Sequence, residues 1–397
     1  MIRSLRKSFN DTFTNEKYRQ FLADLELQYP HSLDFRIAET PVFVDSNLAR
    51  LMEDTSEYII DEICREDFQV KTNRAIPANE FTDGPEGRCH FIAFDFGICK
   101  GEDGNLKPML IELQGFPTLF AFQAHYPEIL ERHFHIPAGY SHYFNGLDTE
   151  SYISLLKKIL LGNHHPEEVI LLELRPDTQK TRIDFYCTGK YTGIEPVCIT
   201  SLIREGNNIF YVKDGQKVRV KRIYNRVIAD ELKQAEELPQ QMADLKKGAD
   251  VEWVPHPNWF YRISKFTMPL LKHANIPETK FLHSLDAIPD DLEEYVLKPL
   301  FSFAGQGVVI DVNKSDIESI NDPENWIIQR KVQYADCIET PDGNAKVEIR
   351  LIYFWEDGKP RPILVNNLAR ISKGKMIGTR YNKDKTWVGG SVAYFEQ

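Results

Sequence analysis

A glycine-containing loop between two short apolar segments, at residues 294–309, constrains the fold of this chain more than any other stretch. Its sequence, EYVLKPLFSFAGQGVV, places Lys298 at the end of the first segment and returns through a second one at 308–312. Two such segments joined by a loop with glycine predict a hairpin. Because glycine lets backbone N–H groups approach an anion, and Lys298 adds a mobile positive charge, we expect a phosphate-binding loop. A surface hairpin with a solvated lysine is the alternative.

Length and charge limit the classes of function that the chain can serve. Its 397 residues suffice for two to three domains, and 42% apolar with 27% charged residues is an ordinary globular composition. The net charge of −11 argues against nucleic acid as a partner, because neutralising phosphates requires a basic face.

The cysteines and the apolar runs indicate the compartment. Six scattered cysteines without a Cys-x-x-Cys pair are typical of a reducing environment. No apolar run is long enough to span a membrane, and the N-terminus has no apolar segment of the kind found in secretory signals. We expect a cytoplasmic protein with neither membrane nor nucleic-acid partners.

A second hairpin is predicted at residues 90–114, and it carries polar side chains in apolar strands. The segment HFIAFDFGI contains one carboxylate, Asp95, and a GEDGN turn leads to the returning strand KPMLIELQ. Because side chains alternate along a strand, we expect Asp95, Glu112 and Gln114 on a common face. A carboxylate in an apolar strand is costly unless it is paired or bound to a metal, and oxygen ligands suit Mg²⁺. These residues could equally face solvent on a half-exposed hairpin.

Periodicity and composition divide the chain into four predicted units. Residues 1–90 have apolar positions every three or four residues, which predicts a helical scaffold. Residues 91–165 contain the hairpin with the carboxylates and part of the core. Strands alternate with helical segments in 166–255, which predicts a small Rossmann-like α/β unit. Residues 256–397 form the expected nucleotide-binding region.

Three short motifs together resemble the ATP-grasp superfamily, and most closely its circularly permuted branch, which includes glutathionylspermidine synthase. They are VLKP followed by GQGV at 296–308, IQRK at 328–331, and FDF followed by IELQGFPT at 94–118. The resemblance covers most of residues 88–390. It implies an α/β (α+β), ATP-grasp-like fold with a permuted segment order and a small Rossmann-like unit.

The resemblance also implies which residues hold ATP. In the family, two lysines and the glycine loop hold the nucleotide phosphates, and the segment after the third strand lines the adenine pocket. The positions assigned to nucleotide binding here are Lys265, Lys298, Ser302, Gly305, Gln306, Gly307, Gln329, Arg330 and Lys331.

The family binds magnesium through an Asp…Glu-x-Asn set, which matches Asp95, Glu112 and Gln114 in this chain. In unpermuted members the set follows the nucleotide loop. The Glu-x-Asn pattern is missing at that place in this chain, because no glutamate stands two residues before Asn366 or Asn367. The resemblance therefore implies the permuted order.

Two positions depart from the family pattern. Gln114 is one methylene longer than the family's asparagine, and Ala93 stands where related synthetases carry an arginine that contacts the reacting phosphate. Arg88, Arg350 and Arg370 are the candidates to supply this charge, and the sequence leaves open which one. We assign catalytic roles to Arg350 and Arg370, and substrate contacts to Arg88, Phe116 and Thr118.

The resemblance implies an ATP- and Mg²⁺-dependent ligase that joins a small-molecule or peptide carboxylate to an amine through an acyl phosphate. A carboxylate that attacks the γ-phosphoryl group of ATP brings two anions together, so cations must neutralise the developing charge. Two alternatives stay open: a nucleotide-binding regulator without ligase activity, and a phosphotransferase that acts on a hydroxyl. Neither the substrates nor the oligomeric state follow from the sequence.

Overall fold

The computed structural model describes residues 1–228, 245–302, 306–374, 377 and 382–397. The α-helices of these residues are α1 (Arg3–Thr12), α2 (Asn15–Leu27), α3 (Ser46–Ile63), α4 (Phe68–Lys71), α5 (Phe122–His133), α6 (Thr149–Leu161), α7 (Arg182–Thr192), α8 (Asn258–Arg262) and α9 (Lys314–Glu318). The strands are β1 (Val42–Val44), β2 (Phe91–Lys100), β3 (Leu106–Gln114), β4 (Tyr140–Ser141), β5 (Val169–Glu173), β6 (Glu195–Cys198), β7 (Ile203–Glu205), β8 (Asn208–Lys213), β9 (Gln216–Val220), β10 (Arg222–Asn225), β11 (Glu252–Val254), β12 (Thr279–Phe281), β13 (Tyr295–Pro299), β14 (Trp326–Arg330), β15 (Lys346–Phe354), β16 (Ile363–Ser372), β17 (Gly389–Ser391) and β18 (Ala393–Glu396).

A five-stranded antiparallel sheet lies at the centre of the molecule, in the order β17-β16-β15-β2-β3. The hairpin predicted at residues 90–114 is confirmed as its β2 and β3. Strand β15, more than 230 residues later in the chain, pairs with the other edge of β2. Strands β2 and β15 are almost entirely buried, since both are near-continuous apolar runs interrupted by a few charged residues.

The two faces of the central sheet bury different side chains. On one face, Phe94 and Phe96 of β2 pack in an apolar cluster with residues of α3. On the other face, Phe91 of β2 and Phe354 of β15 pack in a second cluster with α5 and α6. Because side chains alternate, Asp95 lies on this second face, beyond the edge of the second cluster.

A four-stranded parallel sheet has the order β11-β10-β5-β6. Every residue of β5, with the sequence VILLE, is buried, as is typical of a parallel strand covered on both faces. Helix α7 connects β5 to β6, and the small antiparallel sheet β7-β8-β9 precedes β10.

A three-stranded antiparallel sheet, β12-β14-β13, carries Lys298 on β13. The hairpin predicted from residue 294 forms only in part. Leu297 pairs with Val309 in an isolated bridge, and the second strand expected at 308–312 is absent. Four residues after this bridge, Asn313 accepts hydrogen bonds from the N–H groups of Ser315 and Asp316 and caps the start of α9.

Helices α1 to α3 confirm the helical pattern expected at the N-terminus. Helix α3 begins at an Asp45 cap, whose side chain accepts a hydrogen bond from the N–H group of Leu48. No helix in the described ranges is both long and apolar enough to cross a membrane.

Candidate active site

A row of charged side chains crosses the second face of the central sheet. In the strand register, Asp95 lies opposite Glu112 on one side and opposite Arg350 on the other. Glu348, two residues before Arg350, lies opposite Arg370 on the next strand. Strand order therefore arranges carboxylates and arginines across β3, β2, β15 and β16. Asp95 and Glu112 are cross-strand neighbours, as their expected common face requires, and Gln114 lies opposite Ala93.

Asp95 is fully paired with arginines. Arg350 donates from Nε to Oδ1 (2.5 Å) and from Nη2 to Oδ2 (2.6 Å), and Arg370 donates from Nη2 to the same Oδ2 (2.6 Å). The side chain of Asp95 is 1% exposed and that of Arg350 8%. Burial opposes ionisation of Asp95, but the two guanidinium groups outweigh it and hold the pKa of this carboxyl below its usual range. The bidentate geometry fixes the position of Arg350.

Glu348 is a further buried carboxyl group at this site, to which sequence reasoning assigned no role. It accepts hydrogen bonds from Arg370 and from the hydroxyl group of Tyr334 (3.2 Å). Burial raises the pKa of Glu348, while the charge of Arg370 opposes the rise. The sequence does mark Glu348 as a candidate site residue, because a charged residue in the apolar run KVEIRLIYF is as unusual as Asp95 in FIAFDFGIC.

Lys298 joins the three-stranded sheet to the central sheet. The pairing of β2 with β3 shifts between Asp95 and Phe96, so Ile111 is a bulged residue without a cross-strand partner in this register. The ammonium group of Lys298 donates to the carbonyl oxygen of Ile111 (3.2 Å) and to Oε1 of Gln329 (2.6 Å). The structure thus brings Lys298 next to Glu112, with Gln329 at its side.

The charge state of Lys298 is sensitive to its surroundings. Burial lowers its pKa to about 8, and the nearby ammonium group of Lys265 acts in the same direction, whereas Glu112 and Glu348 oppose the shift. Lys298 is half-buried and its hydrogen bonds go to neutral oxygens, so it favours a negatively charged ligand that would stabilise its protonated form.

Lys265 holds the start of the glycine loop. It begins the short 3₁₀ helix Lys265–Leu270, and its side chain donates to the carbonyl oxygen of Pro299 (3.0 Å) and to the carbonyl and hydroxyl oxygens of Ser302. Gly305 lies outside the described residues. Gln306 is exposed, and Gly307 has a positive φ of 70°.

Arg330 and Lys331 lie away from Lys298. Arg330 donates to Asp291 (2.7 Å), and its guanidinium group lies 4.4 Å from the ring centroid of Tyr295. The side chain of Lys331 donates to the carbonyl oxygen of Glu293. Of the predicted adenine-pocket residues, the structure therefore brings only Gln329 into contact with Lys298.

The turn after β3 packs against the helix that precedes Lys265. A Cβ atom at Gly115 would lie 2.6 Å from the carbonyl oxygen of Trp259 in α8, so only glycine permits this approach. The ring of Phe116 is buried and lies 5.0 Å from the ring of Phe260. Gly115 thereby sets the spacing between β3 and the Lys265 segment.

Two further predicted substrate residues have different surroundings. The hydroxyl oxygen of Thr118 accepts a hydrogen bond from Nη1 of Arg350 (3.2 Å), so Thr118 belongs to the charged cluster. Arg88 lies just before the first residue of β2. Its guanidinium group is 5.0 Å from the ring centroid of Trp355, near the start of that strand. Thr118 is linked to Asp95 through Arg350, whereas Arg88 lies seven residues before Asp95 in the chain and contacts Trp355 instead.

The residues predicted to bind magnesium fit a site that bound phosphate and water complete, rather than one in which the protein supplies every ligand. Within the described part of the chain, no group of three or more His, Cys, Asp or Glu side chains is arranged to hold a metal ion. Both oxygens of Asp95 are occupied by arginines, while Glu112 and Gln114 are half-buried. One carboxylate and one amide oxygen are enough for Mg²⁺ when phosphate oxygens and water complete its shell.

The sequence matches no protein family and no curated protein. Among solved structures, the chain is similar to a glutathione synthetase-like effector (GSS30) from Globodera pallida in its apo form, with a TM-score of 0.57 and 9% sequence identity. The match covers 96% of each chain. At this identity the likeness concerns the fold alone. The chain therefore has a mixed α/β, ATP-grasp-like fold, similar over nearly its full length to that of a glutathione synthetase-like protein.

Proposed function

We propose that this protein is an ATP- and Mg²⁺-dependent ligase of the circularly permuted ATP-grasp type, which joins a carboxylate to an amine through an acyl phosphate. One observation carries the proposal. Lys298, on the sheet that leads into the glycine loop, contacts the bulge at Ile111, next to Glu112 on the central sheet. A cation and a carboxylate from two sheets that are remote in the chain thus lie close together, and the sequence predicts a phosphate-binding loop directly after Lys298.

The charges around this point suit phosphoryl transfer. The transferring phosphoryl group carries charge on several oxygens, which fixed cations stabilise. Lys265 and Lys298 are the proposed phosphate contacts. Arg370, whose side chain is 38% exposed, is better able to reach a ligand than Arg350 at 8%. Arg370 is therefore our choice for the arginine that replaces the charge missing at Ala93.

Glu112 and Gln114 are the proposed magnesium ligands on the protein. When bound, the ion would neutralise phosphate charge and orient the γ-phosphoryl group. The substrates that we propose are a small-molecule or peptide carboxylate and an amine, with Thr118 close to the reacting groups because it contacts Arg350.

A nucleotide-binding protein without ligase activity is the second candidate. It is favoured by the contacts of Lys265, whose ammonium group donates to the carbonyl oxygens of Pro299 and Ser302 and to the hydroxyl group of Ser302. These contacts occupy N–H donors that a ligase would direct to the phosphates of ATP.

Product analysis separates the two candidates. The purified protein would be incubated with Mg-ATP and mixtures of amino acids, peptides and polyamines, followed by assay of ADP and mass spectrometry of products. We expect ADP release that requires both an acid and an amine, an amide product, and loss of both in Lys298→Met. The matched control is Lys280→Met, a lysine exposed on β12. ATP binding without ADP release would favour the regulator, and a phosphorylated product without an amide would identify a phosphotransferase.

A further inference from the structure

We propose that Asp95 is a positioning residue, which holds Arg350 and Arg370 on the ligand-facing side of the central sheet, and that it is not a magnesium ligand. This inference rests on the proposed function and deepens it. It gives Asp95 a role different from the one that the family resemblance implies.

The hydrogen bonds and the burial of Asp95 leave little room for a metal ion. Its two oxygens accept three charge-assisted bonds of 2.5–2.6 Å from Arg350 and Arg370, and its side chain is 1% exposed. A carboxylate offers about four lone-pair directions, so a metal ion would have to lie against the guanidinium groups on the remaining one or displace a guanidinium group. Arg350 is buried, so release would leave its charge without its anionic partner in a poorly solvated position.

The distribution of charge leads to the same conclusion. Asp95 and Glu348 balance Arg350 and Arg370, which makes this part of the row neutral in total. A divalent cation on Asp95 would lie directly beside two guanidinium groups. Glu112 lies one strand further from the arginines, on the β3 side that contacts Lys298 through Ile111. A metal ion on Glu112 would lie near one ammonium group, that of Lys298, and bound phosphate would offset this repulsion.

The partners of the two arginines show what Asp95 positions. Arg350 is held at both ends, because its Nη1 also donates to the hydroxyl oxygen of Thr118. Arg370 is bound by Asp95 and Glu348 on one side, while 38% of its side chain is exposed. Asp95 thus fixes the orientation of an arginine that can still contact a ligand.

The test compares metal binding with nucleotide binding in two isosteric variants, Asp95→Asn and Glu112→Gln. Mn²⁺ replaces Mg²⁺ and is followed by its electron paramagnetic resonance signal at a saturating concentration of a non-hydrolysable ATP analogue. Affinity for the analogue is measured separately by calorimetry. Thermal melting of each variant reports whether it is folded.

We expect Asp95→Asn to bind Mn²⁺ as the wild type does and to bind the analogue about tenfold more weakly, because charged hydrogen bonds to its arginines are lost. We expect Glu112→Gln to bind Mn²⁺ at least about tenfold more weakly, because loss of a direct ligand should cost no less than loss of an outer-shell partner. Loss of Mn²⁺ binding in Asp95→Asn, with the wild type binding both ligands, would overturn the inference and leave the proposed function intact. A wild type that binds neither analogue nor Mn²⁺ would overturn both.

Arg350→Lys keeps the inference testable if Asp95→Asn does not fold. This variant retains the charge but removes the bidentate pair, so it frees one oxygen of Asp95. We expect weaker binding of the analogue and unchanged Mn²⁺ affinity. Tighter Mn²⁺ binding would show that Asp95 serves as a ligand once it is released, and would contradict the inference.

Discussion

The central sheet and the three-stranded sheet contribute to the candidate site in different ways. In the central sheet, Asp95, Glu348, Arg350 and Arg370 are set by strand register and pair with one another. By contrast, Lys298 on the three-stranded sheet and Lys265 on the 3₁₀ helix beside it donate to carbonyl, amide and hydroxyl oxygens.

This difference separates a preorganised part of the site from an adjustable one. A guanidinium–carboxylate pair in a buried sheet is costly to break. A lysine that bonds to neutral oxygens can exchange them for phosphate oxygens at a lower cost, since the ligand supplies a full negative charge. We therefore expect changes in the central sheet to affect stability, and changes in the lysines to affect ligand binding.

The largest expected effect is that of Arg350→Ala. Removal of one partner from a buried ion pair should lower the free energy of unfolding by about 3–5 kcal/mol, because Asp95 loses two of its three bonds. Urea denaturation measures this change. The control is Arg65→Ala, which breaks an exposed pair with Asp67 and should cost less than about 1 kcal/mol. Equal effects of the two variants would contradict the distinction between the sheets.

Lys298→Met tests the part of the comparison that concerns the three-stranded sheet. Ligase activity should fall by about 10²–10³-fold, because a cation at the phosphates is lost. The free energy of unfolding should stay the same or rise, since burial of the charged ammonium group opposes folding. Steady-state kinetics and urea denaturation of this variant and of Lys280→Met provide the measurement. A Lys298→Met variant that is destabilised but fully active would show that Lys298 serves stability and not ligand binding, which contradicts the comparison.

Gly115→Ala tests the contact that joins the two regions. The added Cβ atom would meet the carbonyl oxygen of Trp259 at 2.6 Å, so α8 or the turn must shift, at a cost of about 1–3 kcal/mol. Gly390→Ala, whose Cβ atom would meet nothing closer than 3.6 Å, is the control for stability. We also expect weaker nucleotide binding in Gly115→Ala alone, because α8 leads directly to Lys265. Unchanged melting temperature and affinity would show that the spacing is not critical.

The smallest expected effect is a pH dependence of nucleotide affinity. The pKa of Lys298 is lowered to about 8, so the free protein loses this charge as the pH rises through that value. Nucleotide affinity should fall between pH 7 and pH 9, by about tenfold if one charged contact is lost. Because the folded pKa lies below the unfolded one, the destabilisation caused by Lys298 is present below about pH 8 and is relieved as the pH rises toward the unfolded value.

Calorimetry at pH 7 and pH 9 checks this dependence. Lys298→Arg should abolish most of it, because arginine keeps its charge over the whole range. A wild-type affinity that does not change with pH would mean that Lys298 makes no charged contact with the nucleotide.

Local patterns in the sequence predict the hairpins but not how they meet. Alternation and a GEDGN turn are enough to predict β2 and β3, and the charged residues within apolar strands indicate where chemistry lies. The pairing of β15 with β2 joins residues about 255 positions apart, such as Arg350 and Asp95. No local pattern contains that register, so the choice among the arginines stayed open.

The remaining differences have local physical causes that sequence patterns do not reveal. The bulge at Ile111 frees the carbonyl oxygen that Lys298 contacts, and a period-two pattern cannot predict an extra residue. Arg330 follows Gln329 on β14 and therefore projects to the opposite face, where it meets Asp291. The strand expected at 308–312 is reduced to a single bridge at Val309, and the chain then continues to the Asn313 cap and into α9.

A crystal structure with a non-hydrolysable ATP analogue and Mg²⁺ tests the central claim most directly. We expect the triphosphate between Lys298 and Arg370, the metal ion on Glu112, and Asp95 still paired with Arg350. A nucleotide bound elsewhere, or density that leaves Lys298 and Glu112 without contact to phosphate or metal, would contradict the claim that the two sheets share one ligand.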